Sequence, residues 1–326
     1  MGKIKKLAVL TSGGDSPGMN AAIRAVVRAS ISHNIKPFGV YQGYKGLIED
    51  NIKELKTTDV SNIIQRGGTI LKSARCMEFH KKNYRKKAYE NLKKRGIDAL
   101  IVIGGDGTFA GARLFSDEFD IPTVGIPGTI DNDLFGTDMT IGFDTALNTV
   151  MEAVDKIRDT ASSHDRLFFV EVMGRDAGFI ALRSAIACGA EAVLVPEVPT
   201  LLEDLRKNLE GNYKRKKTSN IIIVAEGERE GGAVALAEKM QKEFPDYSMR
   251  VAILGHIQRG GSPSIYDRYL ASRLGVGAVE ALIEGQKSVM IGYVDKQVVH
   301  VTFSKTIKHH KDINRKLLEI VNILNT

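Results

Sequence analysis

Residues 98–108 read DALIVIGGDGT, an apolar run rich in β-branched side chains that ends at two glycines, an aspartate and a third glycine. A short apolar run bounded by glycine is typical of a buried strand. The next stretch, GARLFSDEF at 111–119, has apolar residues at helical spacing. A strand that turns through glycines into a helix predicts an α/β architecture with a mainly parallel sheet.

The same unit recurs along the chain. Further strands are predicted at 6–12, 121–128, 166–174, 191–197, 220–227 and 249–256. Further helices are predicted at 19–30, 82–96, 143–160, 233–244 and 266–285. Strand ends between residues 10 and 133 are rich in glycine, whereas those between 173 and 259 carry Arg, Glu and His. Because open α/β sheets bind ligands at the carboxyl ends of their strands, we expect two domains that face each other across a cleft.

The composition is that of a soluble globular protein. The 326 residues are 43% hydrophobic and 26% charged, which suffices for two cores and excludes a disordered chain or a small disulfide scaffold. The formal net charge of +7 raises the question of an anionic partner. The two cysteines, Cys76 and Cys188, suit a reducing compartment, and the first residues lack the apolar core of a signal peptide. We therefore expect a soluble, cytoplasmic protein.

Two glycine loops after predicted strands point to phosphate binding. Residues 11–18 read TSGGDSPG and lead into a helix, and residues 104–108 read GGDGT. Backbone N–H groups at a helix start bind anions, although a tight turn without a ligand also fits either loop alone. The sequence contains no GxxxxGK[ST] motif, which excludes a P-loop enzyme. Asp106 suits a Mg–nucleotide complex, because Mg²⁺ binds one or two carboxylates together with phosphates and water.

A third strand end carries two carboxylates within the segment PGTIDND at 127–133. In an extended segment Asp131 and Asp133 would project to the same side. One carboxylate could then accept a proton from a hydroxyl nucleophile while the other holds a metal or orients the substrate. The alternative is an Asx-rich turn before a helix.

The strand ends of the second half carry arginines suited to a phosphorylated substrate, because arginine forms forked hydrogen bonds with phosphate. Each residue alone also fits a surface ion pair, and His256 also fits a buried structural histidine. The basic stretch 81–95 fits a solvated helix face, and the stretch 213–220 fits either solvated surface or a phosphate site. The residues at these strand ends are Arg166, Met173, Gly174, Arg175, Glu226, Arg250 and the segment HIQRGG at 256–261.

Six motifs in one order resemble the bacterial ATP-dependent 6-phosphofructokinase family over almost the whole chain. They are TSGGDSPGMNAAIR (11–24), IVIGGDGT (101–108), PGTIDND (127–133), TASSHDR (160–166), EVMGRDAG (171–178) and LGHIQRGGSPSIYDR (254–268). The resemblance implies two Rossmann-like three-layer α/β/α domains. The ATP-binding domain would comprise residues 1–140 plus about 255–300, and the sugar-phosphate-binding domain residues 141–254 plus about 301–326.

The resemblance implies a glycolytic kinase. It would transfer the γ-phosphoryl group of Mg-ATP to the 1-hydroxyl of fructose 6-phosphate, giving fructose 1,6-bisphosphate and ADP. Asp131 would be the general base and Asp106 the Mg²⁺ ligand. Thr129 and Asp133 would support them, and Arg175 would neutralise charge on the transferring group.

The resemblance also assigns the binding residues, motif by motif. ATP would contact Gly14, Tyr44, Arg75, Cys76, Gly105, Asp106, Gly107 and Thr108. The sugar phosphate would contact Thr129, Ile130, Asp131, Met173, Gly174, Arg175, Glu226, His256, Ile257, Gln258 and Arg259. Arg166 and Arg250 match arginines that reach into the substrate site of a neighbouring subunit, so a homotetramer is expected. Neither a nucleic acid nor a membrane is an expected partner.

Two glycines bear on the phosphoryl donor. Pyrophosphate-dependent members of the family typically carry Asp where Gly107 stands and Lys where Gly128 stands. Both side chains would crowd or recharge the nucleotide site, so glycine at both positions favours ATP.

The resemblance further implies ADP activation and phosphoenolpyruvate inhibition at a site between subunits. Arg24 and Arg28 lie one turn apart on the first helix and share a face. Thr57 stands where an effector-contacting arginine is usual. The matching effector residues are Arg24, Arg28, Arg158, Gly189, Glu191, Arg215 and Lys217.

Three other functions are weighed against this one. They are a pyrophosphate-dependent phosphofructokinase, a nucleotide or lipid kinase with a GGDGT loop, and a nucleic-acid-binding protein suggested only by the net charge. A nucleotide or lipid kinase would not need the arginines of the HIQRGG type. The basic stretches also lack the aromatic interleaving expected of a nucleic-acid-binding surface.

Overall fold

The structure is a computed structural model that describes residues 4–162, 166–199, 203, 205–207, 220–245 and 248–325. The chain divides into two compact units. The first unit contains Met1–Ile130, Leu134–Thr145 and Arg259–Lys311. The second unit contains Asp131–Asp133, Ala146–Gln258 and Asp312–Thr326. The domain boundaries expected from the sequence stay a prediction.

The strands of the described residues are, in chain order, β1 (Lys6–Thr11), β2 (Lys36–Val40), β3 (Ile52–Glu54), β4 (Ala99–Gly104), β5 (Thr123–Pro127), β6 (Arg166–Val172), β7 (Ala192–Leu194), β8 (Asn220–Ala225), β9 (Ser248–Ile253), β10 (Val289–Val294) and β11 (Gln297–Thr302). The helices are α1 (Met19–Ser32), α2 (Gly43–Ile48), α3 (Lys82–Arg95), α4 (Asp106–Phe119), α5 (Phe143–Ser162), α6 (Phe179–Cys188), α7 (Gly232–Glu243), α8 (Ile265–Ile283), α9 (Phe303–Lys308) and α10 (Arg315–Leu324). Short 3-10 helices span Met77–His80 and Gly255–Arg259.

A seven-stranded sheet forms the centre of the first unit, in the order β11-β10-β5-β4-β1-β2-β3. The strands from β2 to β10 in this order run parallel, and the edge strands β3 and β11 pair antiparallel to their neighbours. Side chains alternate between the two faces of a strand. Leu7 and Val9 of β1 join a core with α1 and α8, whereas Ala8 and Leu10 join a core with α2, α3 and α4. The first unit is therefore a three-layer α/β/α arrangement.

A smaller, entirely parallel sheet forms the centre of the second unit, in the order β7-β8-β6-β9. Leu167 and Phe169 of β6 pack with Leu236 and Met240 of α7. Val170 points to the opposite face of the sheet and is also fully buried. Helix α6 packs against β7 and β8, and α10 packs against α6. Both faces of the central strand are thus covered, as expected for a parallel sheet.

The predicted fold class is confirmed, since both units combine helices with mainly parallel sheets. The predicted strand at 191–197 is shorter, Ala192–Leu194, because Pro196 has no N–H to donate to a ladder. The pattern did not predict β2, which contains Pro37 and Gly39, two residues that are rare in strands. Within the described ranges, no helix combines the length and the apolar character needed to cross a membrane.

Candidate active site

The first glycine loop connects β1 to α1. Gly13 and Gly18 have φ angles of 85° and 107°, in the left-handed region that favours glycine. Gly18 is the N-cap of α1 and has no side chain that could occupy the first N–H groups of the helix. The Ser73 hydroxyl donates a hydrogen bond to the Gly13 carbonyl, which holds the loop from outside. This backbone arrangement suits an anion, as the sequence predicts.

The second glycine loop connects β4 to α4 and lies beside the first. β1 and β4 are parallel neighbours in which Thr11 pairs with Ile103, so both loops leave the same edge of the sheet. The Thr108 hydroxyl donates to the Ser12 carbonyl at 3.1 Å. The Ser12 N–H donates to the Ile103 carbonyl at 3.0 Å. The structure therefore brings the two predicted phosphate loops together.

Two glycines of the second loop have different surroundings. A Cβ atom at Gly104 would collide with the Ser12 carbonyl and the Thr108 hydroxyl, so close packing requires glycine there. Apart from its chain neighbours and the backbone of its own helix, a Cβ atom at Gly107 would meet no atom of the described residues within 4 Å. Asp106 lies next to Gly107 in the first turn of α4. The loop thus has room for a ligand beside a carboxylate.

Tyr44, a predicted ATP contact, is buried against the second loop. Its hydroxyl donates to the Thr108 carbonyl at 2.5 Å, and burial raises its pKa. Its ring stacks on Phe79 with a centroid distance of 4.0 Å. Arg75 is exposed, and Cys76 is half-buried with a thiol pKa that burial raises. Tyr44 supports the loop backbone, and the contacts of these residues with ATP stay a prediction.

The acidic segment at 127–133 follows β5. Thr129 and Asp131 are buried, and the Thr140 hydroxyl donates to the Thr129 carbonyl at 2.6 Å. The expectation of an extended segment is wrong at Asn132, whose φ of 54° is left-handed. The chain turns between Asp131 and Asp133, because asparagine tolerates this conformation better than most residues.

Predicted substrate residues of the second unit meet at the end of β6. The Met173 N–H donates to Gln258 Oε1 at 3.2 Å, and the Arg175 N–H donates to Glu226 Oε1 at 2.7 Å. Arg175 has a φ of 55°, a left-handed conformation that costs free energy in a non-glycine residue. Its side chain is 71% exposed and pairs with Asp176 at 3.5 Å. Two side chains therefore hold the backbone around an arginine whose guanidinium faces solvent.

The HIQRGG segment contributes to both units. His256 is exposed, so the alternative of a buried structural histidine is wrong. Ile257 is 57% exposed, and Gln258 is buried. Arg259 belongs to the first unit, where its Nη1 donates to the Asp15 carbonyl at 3.4 Å. Arg259 therefore lies at the first glycine loop, and its contact with the sugar phosphate stays a prediction.

The two arginines expected to reach a neighbouring subunit lie on adjacent strands. Arg166 begins β6 and is partly buried. Arg250 is exposed on the edge strand β9, where its Nη1 donates to the Met249 carbonyl at 2.8 Å. Their role across a subunit boundary stays a prediction.

The predicted effector residues of the second unit lie near the end of α6. Arg158 donates from Nη2 to the Cys188 carbonyl and, at 3.2 Å, to the Gly189 carbonyl. Glu191 is buried, and its carbonyl accepts a hydrogen bond from Asn325. In the first unit, Arg24 is partly buried on α1, and Arg28 and Thr57 are exposed. Arg215 and Lys217 lie outside the described residues, as does most of the basic stretch 213–220.

Among the described residues, a metal ion would need some of its coordinating atoms from a bound substrate. The described residues contain no group of three or more His, Cys, Asp or Glu side chains that could hold a metal ion. Mg²⁺ requires only one or two carboxylates when nucleotide phosphates supply the other ligands. Asp106 offers a carboxylate beside the open space at Gly107. The residues present therefore fit Mg²⁺ bound together with a nucleotide.

Sequence reasoning missed two supports of this site. Arg85 pairs with Glu118 and donates to the Phe79 carbonyl at 2.7 Å. The Phe79 ring in turn stacks on Tyr44. Asp267, within the quoted motif at 254–268, is fully buried and binds the chain near residue 142. For Asp267, a carboxylate beside apolar residues in a predicted helix was the available signal, but its partners lie too far along the chain to be inferred.

Comparisons with known proteins identify the family. The family model for phosphofructokinase matches residues 6–282. The ATP-dependent 6-phosphofructokinase 2 of Bacteroides thetaiotaomicron is 57% identical over 325 residues, covering 100% of both chains. The ATP-dependent 6-phosphofructokinase of Cytophaga hutchinsonii is 54% identical, covering 99% of this chain and 98% of the relative.

Solved structures agree. Phosphofructokinase from Saccharomyces cerevisiae superposes with a TM-score of 0.89 at 40% identity, covering 93% of this chain and 45% of that longer chain. A pyrophosphate-dependent phosphofructokinase from Marinobacter aquaeolei has a TM-score of 0.86 at 22% identity, covering 98% of this chain and 91% of the other, which shows likeness in fold. The chain belongs to the phosphofructokinase family and is an enzyme of the kinase class.

Proposed function

We propose that the chain is an ATP-dependent 6-phosphofructokinase of glycolysis that acts in the cytoplasm. It transfers the γ-phosphoryl group of Mg-ATP to the 1-hydroxyl of D-fructose 6-phosphate and releases fructose 1,6-bisphosphate and ADP. Relatives with 57% and 54% identity over nearly their full length carry this activity in their names. The observation that carries the proposal is the pair of adjoining glycine loops with open space at Gly107.

The donor is a nucleotide rather than pyrophosphate. A side chain at Gly107 would occupy the open space beside Asp106, and an acidic one would repel the phosphates of ATP. A Cβ atom at Gly128 would lie 3.0 Å from Ile103 and 3.2 Å from Met19, so a lysine there would require these neighbours to shift. Both glycines support a site built for the larger donor.

Asp106 would hold Mg²⁺ together with the phosphates of ATP. The ion, when bound, neutralises phosphate charge during transfer. The N–H groups at the starts of α1 and α4 would bind phosphate oxygens, because the positive ends of both helix dipoles lie there.

Asp131 acts as the general base. It accepts the proton of the 1-hydroxyl while the hydroxyl oxygen forms a bond to the γ-phosphorus, and the bond from that phosphorus to the β–γ bridging oxygen breaks. ADP leaves with that electron pair. Burial of Asp131 limits access of bulk water to the base. The exposed Arg175 guanidinium is available to neutralise charge on the transferring group.

The sugar phosphate is bound by the residues around Met173, Arg175, Glu226 and His256, supplemented by Arg166 and Arg250 of a neighbouring subunit in a homotetramer. The exposure of Arg250 on an edge strand supports this arrangement.

ADP and phosphoenolpyruvate would act as effectors at Arg158, Gly189 and Glu191, whose clustering at the end of α6 supports a shared pocket.

A coupled assay tests the proposal. Purified protein with Mg-ATP should form ADP only when fructose 6-phosphate is added, and pyrophosphate should not replace ATP. Absence of ADP formation would show that the proposal is wrong. Reactions with added ADP or phosphoenolpyruvate test regulation, and sedimentation velocity tests the tetramer.

Asp131→Asn should lower kcat by on the order of 10³ with little change in KM. The exposed Asp117→Asn on α4 is the matched control.

A further inference from the structure

The motif LGHIQRGGSPSIYDR at 254–268 contains a carboxylate to which the proposed function assigns no role. Asp267 lies in the first turn of α8 and is 0% exposed. A buried carboxylate costs free energy unless hydrogen bonds compensate for the lost water. Its partners therefore indicate what it does.

Asp267 binds the start of α5. Its Oδ1 accepts a hydrogen bond from the Gly142 N–H at 2.8 Å. Its Oδ2 accepts from the Thr145 N–H at 2.8 Å and from the Thr145 hydroxyl at 2.5 Å. Gly142 directly precedes α5, and Thr145 is its third residue, so Asp267 satisfies two N–H groups that a helix start leaves without intrahelical partners. Asp267 is thus a cap for α5 supplied from another helix.

The contacts between the two helix starts are reciprocal. Ser264 is the N-cap of α8 and accepts from the Asp267 N–H at 3.1 Å. The Ser264 N–H donates to the Thr145 hydroxyl at 3.0 Å, and the Ser264 hydroxyl donates to Asp144 Oδ2 at 2.6 Å. Each helix start therefore fixes the other, and neither can shift without breaking bonds to buried groups.

The chain just before α5 holds the segment that carries the proposed base. The Ile141 N–H donates to the Pro127 carbonyl at 2.9 Å, and the Thr140 hydroxyl donates to the Thr129 carbonyl at 2.6 Å. Gly128 and Ile141 also form an isolated parallel bridge. Thr140 and Ile141 are thus hydrogen-bonded along residues 127–129, two residues before Asp131.

Close packing leaves this connection little freedom. A Cβ atom at Gly142, whose φ is 106°, would lie 3.3 Å from the Ile130 side chain. Ile130 and Ile141 are both fully buried. A displacement of residue 142 would therefore be transmitted to the backbone at 128–130, because packed interiors offer no space to absorb it.

We infer that Asp267 is a positioning residue for the reaction, which sets the place of the Thr129–Asp131 backbone through the start of α5. This inference rests on the proposed function, since it assumes that Asp131 is the base. The carboxylate itself does not need to touch either substrate.

Three variants test the inference. Asp267→Asn keeps the volume but replaces one acceptor oxygen with an NH₂ group, and Thr145→Val replaces the hydroxyl between Asp267 and Ser264 with a methyl group. Leu282→Ala, at the other end of α8 and 2% exposed, is the matched control that weakens the core far from residues 127–131. Kinetic constants, unfolding midpoints and hydrogen–deuterium exchange are measured for the full chain and each variant.

Asp267→Asn should lower kcat by on the order of 10-fold or more, because small misplacement of a reacting group is costly, while KM for ATP changes by less than about threefold. Exchange at the Ile141 and Gly142 amides should rise. Leu282→Ala should lower the unfolding midpoint comparably and leave kcat and these amides unchanged. Equal kcat losses in Asp267→Asn and Leu282→Ala, or unchanged kcat in Asp267→Asn, would overturn the inference.

Thr145→Val should give the same pattern to a smaller degree, and it carries the test if Asp267→Asn does not fold. If Thr145→Val leaves kcat and amide exchange at wild-type values in that case, the inference is wrong. If the wild-type chain forms no ADP, the proposed function is wrong. The exchange comparison still decides whether Asp267 holds residues 140–142.

Discussion

Gly107 is the residue at which the choice of phosphoryl donor can be tested most directly. Its Cβ position is open, and its backbone does not require glycine, since it has helical geometry within the first turn of α4. An acidic residue in a first helical turn is favourable for stability. Glycine at this position is therefore explained by ligand binding and not by folding.

We predict that Gly107→Asp lowers kcat/KM for ATP by about 100-fold, because the new carboxylate lies beside the phosphates and takes up their space. The free energy of unfolding should stay within about 0.5 kcal/mol of wild type. Steady-state kinetics and urea unfolding measure the two effects.

Gly104→Ala is the contrasting variant in the same loop. Its Cβ atom would collide with the Ser12 carbonyl, so unfolding free energy should fall by about 1–3 kcal/mol. If Gly107→Asp keeps its activity with ATP within twofold, the open space is not part of the donor site.

Helices α3 and α4 are joined by a partly buried ion pair between Arg85 and Glu118. Arg85 donates from Nε and Nη2 to Glu118 at 2.8 and 2.6 Å, and the side chains are 6% and 18% exposed. Arg85 also donates to the Phe79 carbonyl, and Phe79 stacks on Tyr44. The pair therefore connects the two helices, and Arg85 also holds the backbone of Phe79, whose ring stacks on Tyr44.

We predict that Arg85→Ala lowers the unfolding free energy by about 2–3 kcal/mol, because it leaves the partly buried Glu118 carboxylate and the Phe79 carbonyl without their donor. Lys86→Ala, the next residue on the same helix, should cost less than about 1 kcal/mol, since its pair with Glu90 is 4.0 Å long and exposed. Urea unfolding of both variants measures the difference. Equal losses would mean that the pair does not support the helices.

The pair also has a defined pH dependence. Hydrogen bonds from Arg85 lower the pKa of Glu118. A lowered carboxylate pKa means that the stabilisation is present above the ordinary glutamate pKa and is lost as the pH falls through the lowered value. The difference between wild type and Arg85→Ala should accordingly shrink in acid.

Asp267 should give the stability of the whole molecule a pH dependence opposite to that of the Arg85–Glu118 pair. Burial raises the pKa of Asp267 to about 6, and hydrogen bonds from Thr145 and Gly142 oppose this rise, while the charge of Asp144 adds to it. Because the folded chain then binds this proton more readily than the unfolded chain, the contribution of Asp267 to stability grows as the pH falls through about 6.

We predict that the stability difference between wild type and Asp267→Asn changes by about 1 kcal/mol in favour of wild type between pH 7.5 and pH 5. Urea unfolding across this range measures it, using the transition of the unit that contains Asp267 if the two units unfold separately. A difference that does not change with pH would contradict the raised pKa.

Sequence reasoning predicted the parts of the site that depend on local pattern. The alternation at 98–119 predicted β4 and α4, and glycines directly after strands predicted the two phosphate loops. The expected extended conformation was wrong at Asn132, whose left-handed φ agrees with the alternative of an Asx-rich turn. Sequence reasoning also missed β10 and β11, which pair with each other and join the first sheet beside β5 late in the chain.

The sequence by itself determined the α/β class, the places where glycine lets a backbone approach an anion, and the acids that follow them. These features depend on neighbours within a few residues. Only the tertiary structure decided the partners of the buried charges. Arg85 meets Glu118 across 33 residues, and Asp267 meets Gly142 across 125. A buried charge pairs with whichever hydrogen-bond partner the packing of distant helices brings to it, and no local period encodes that choice.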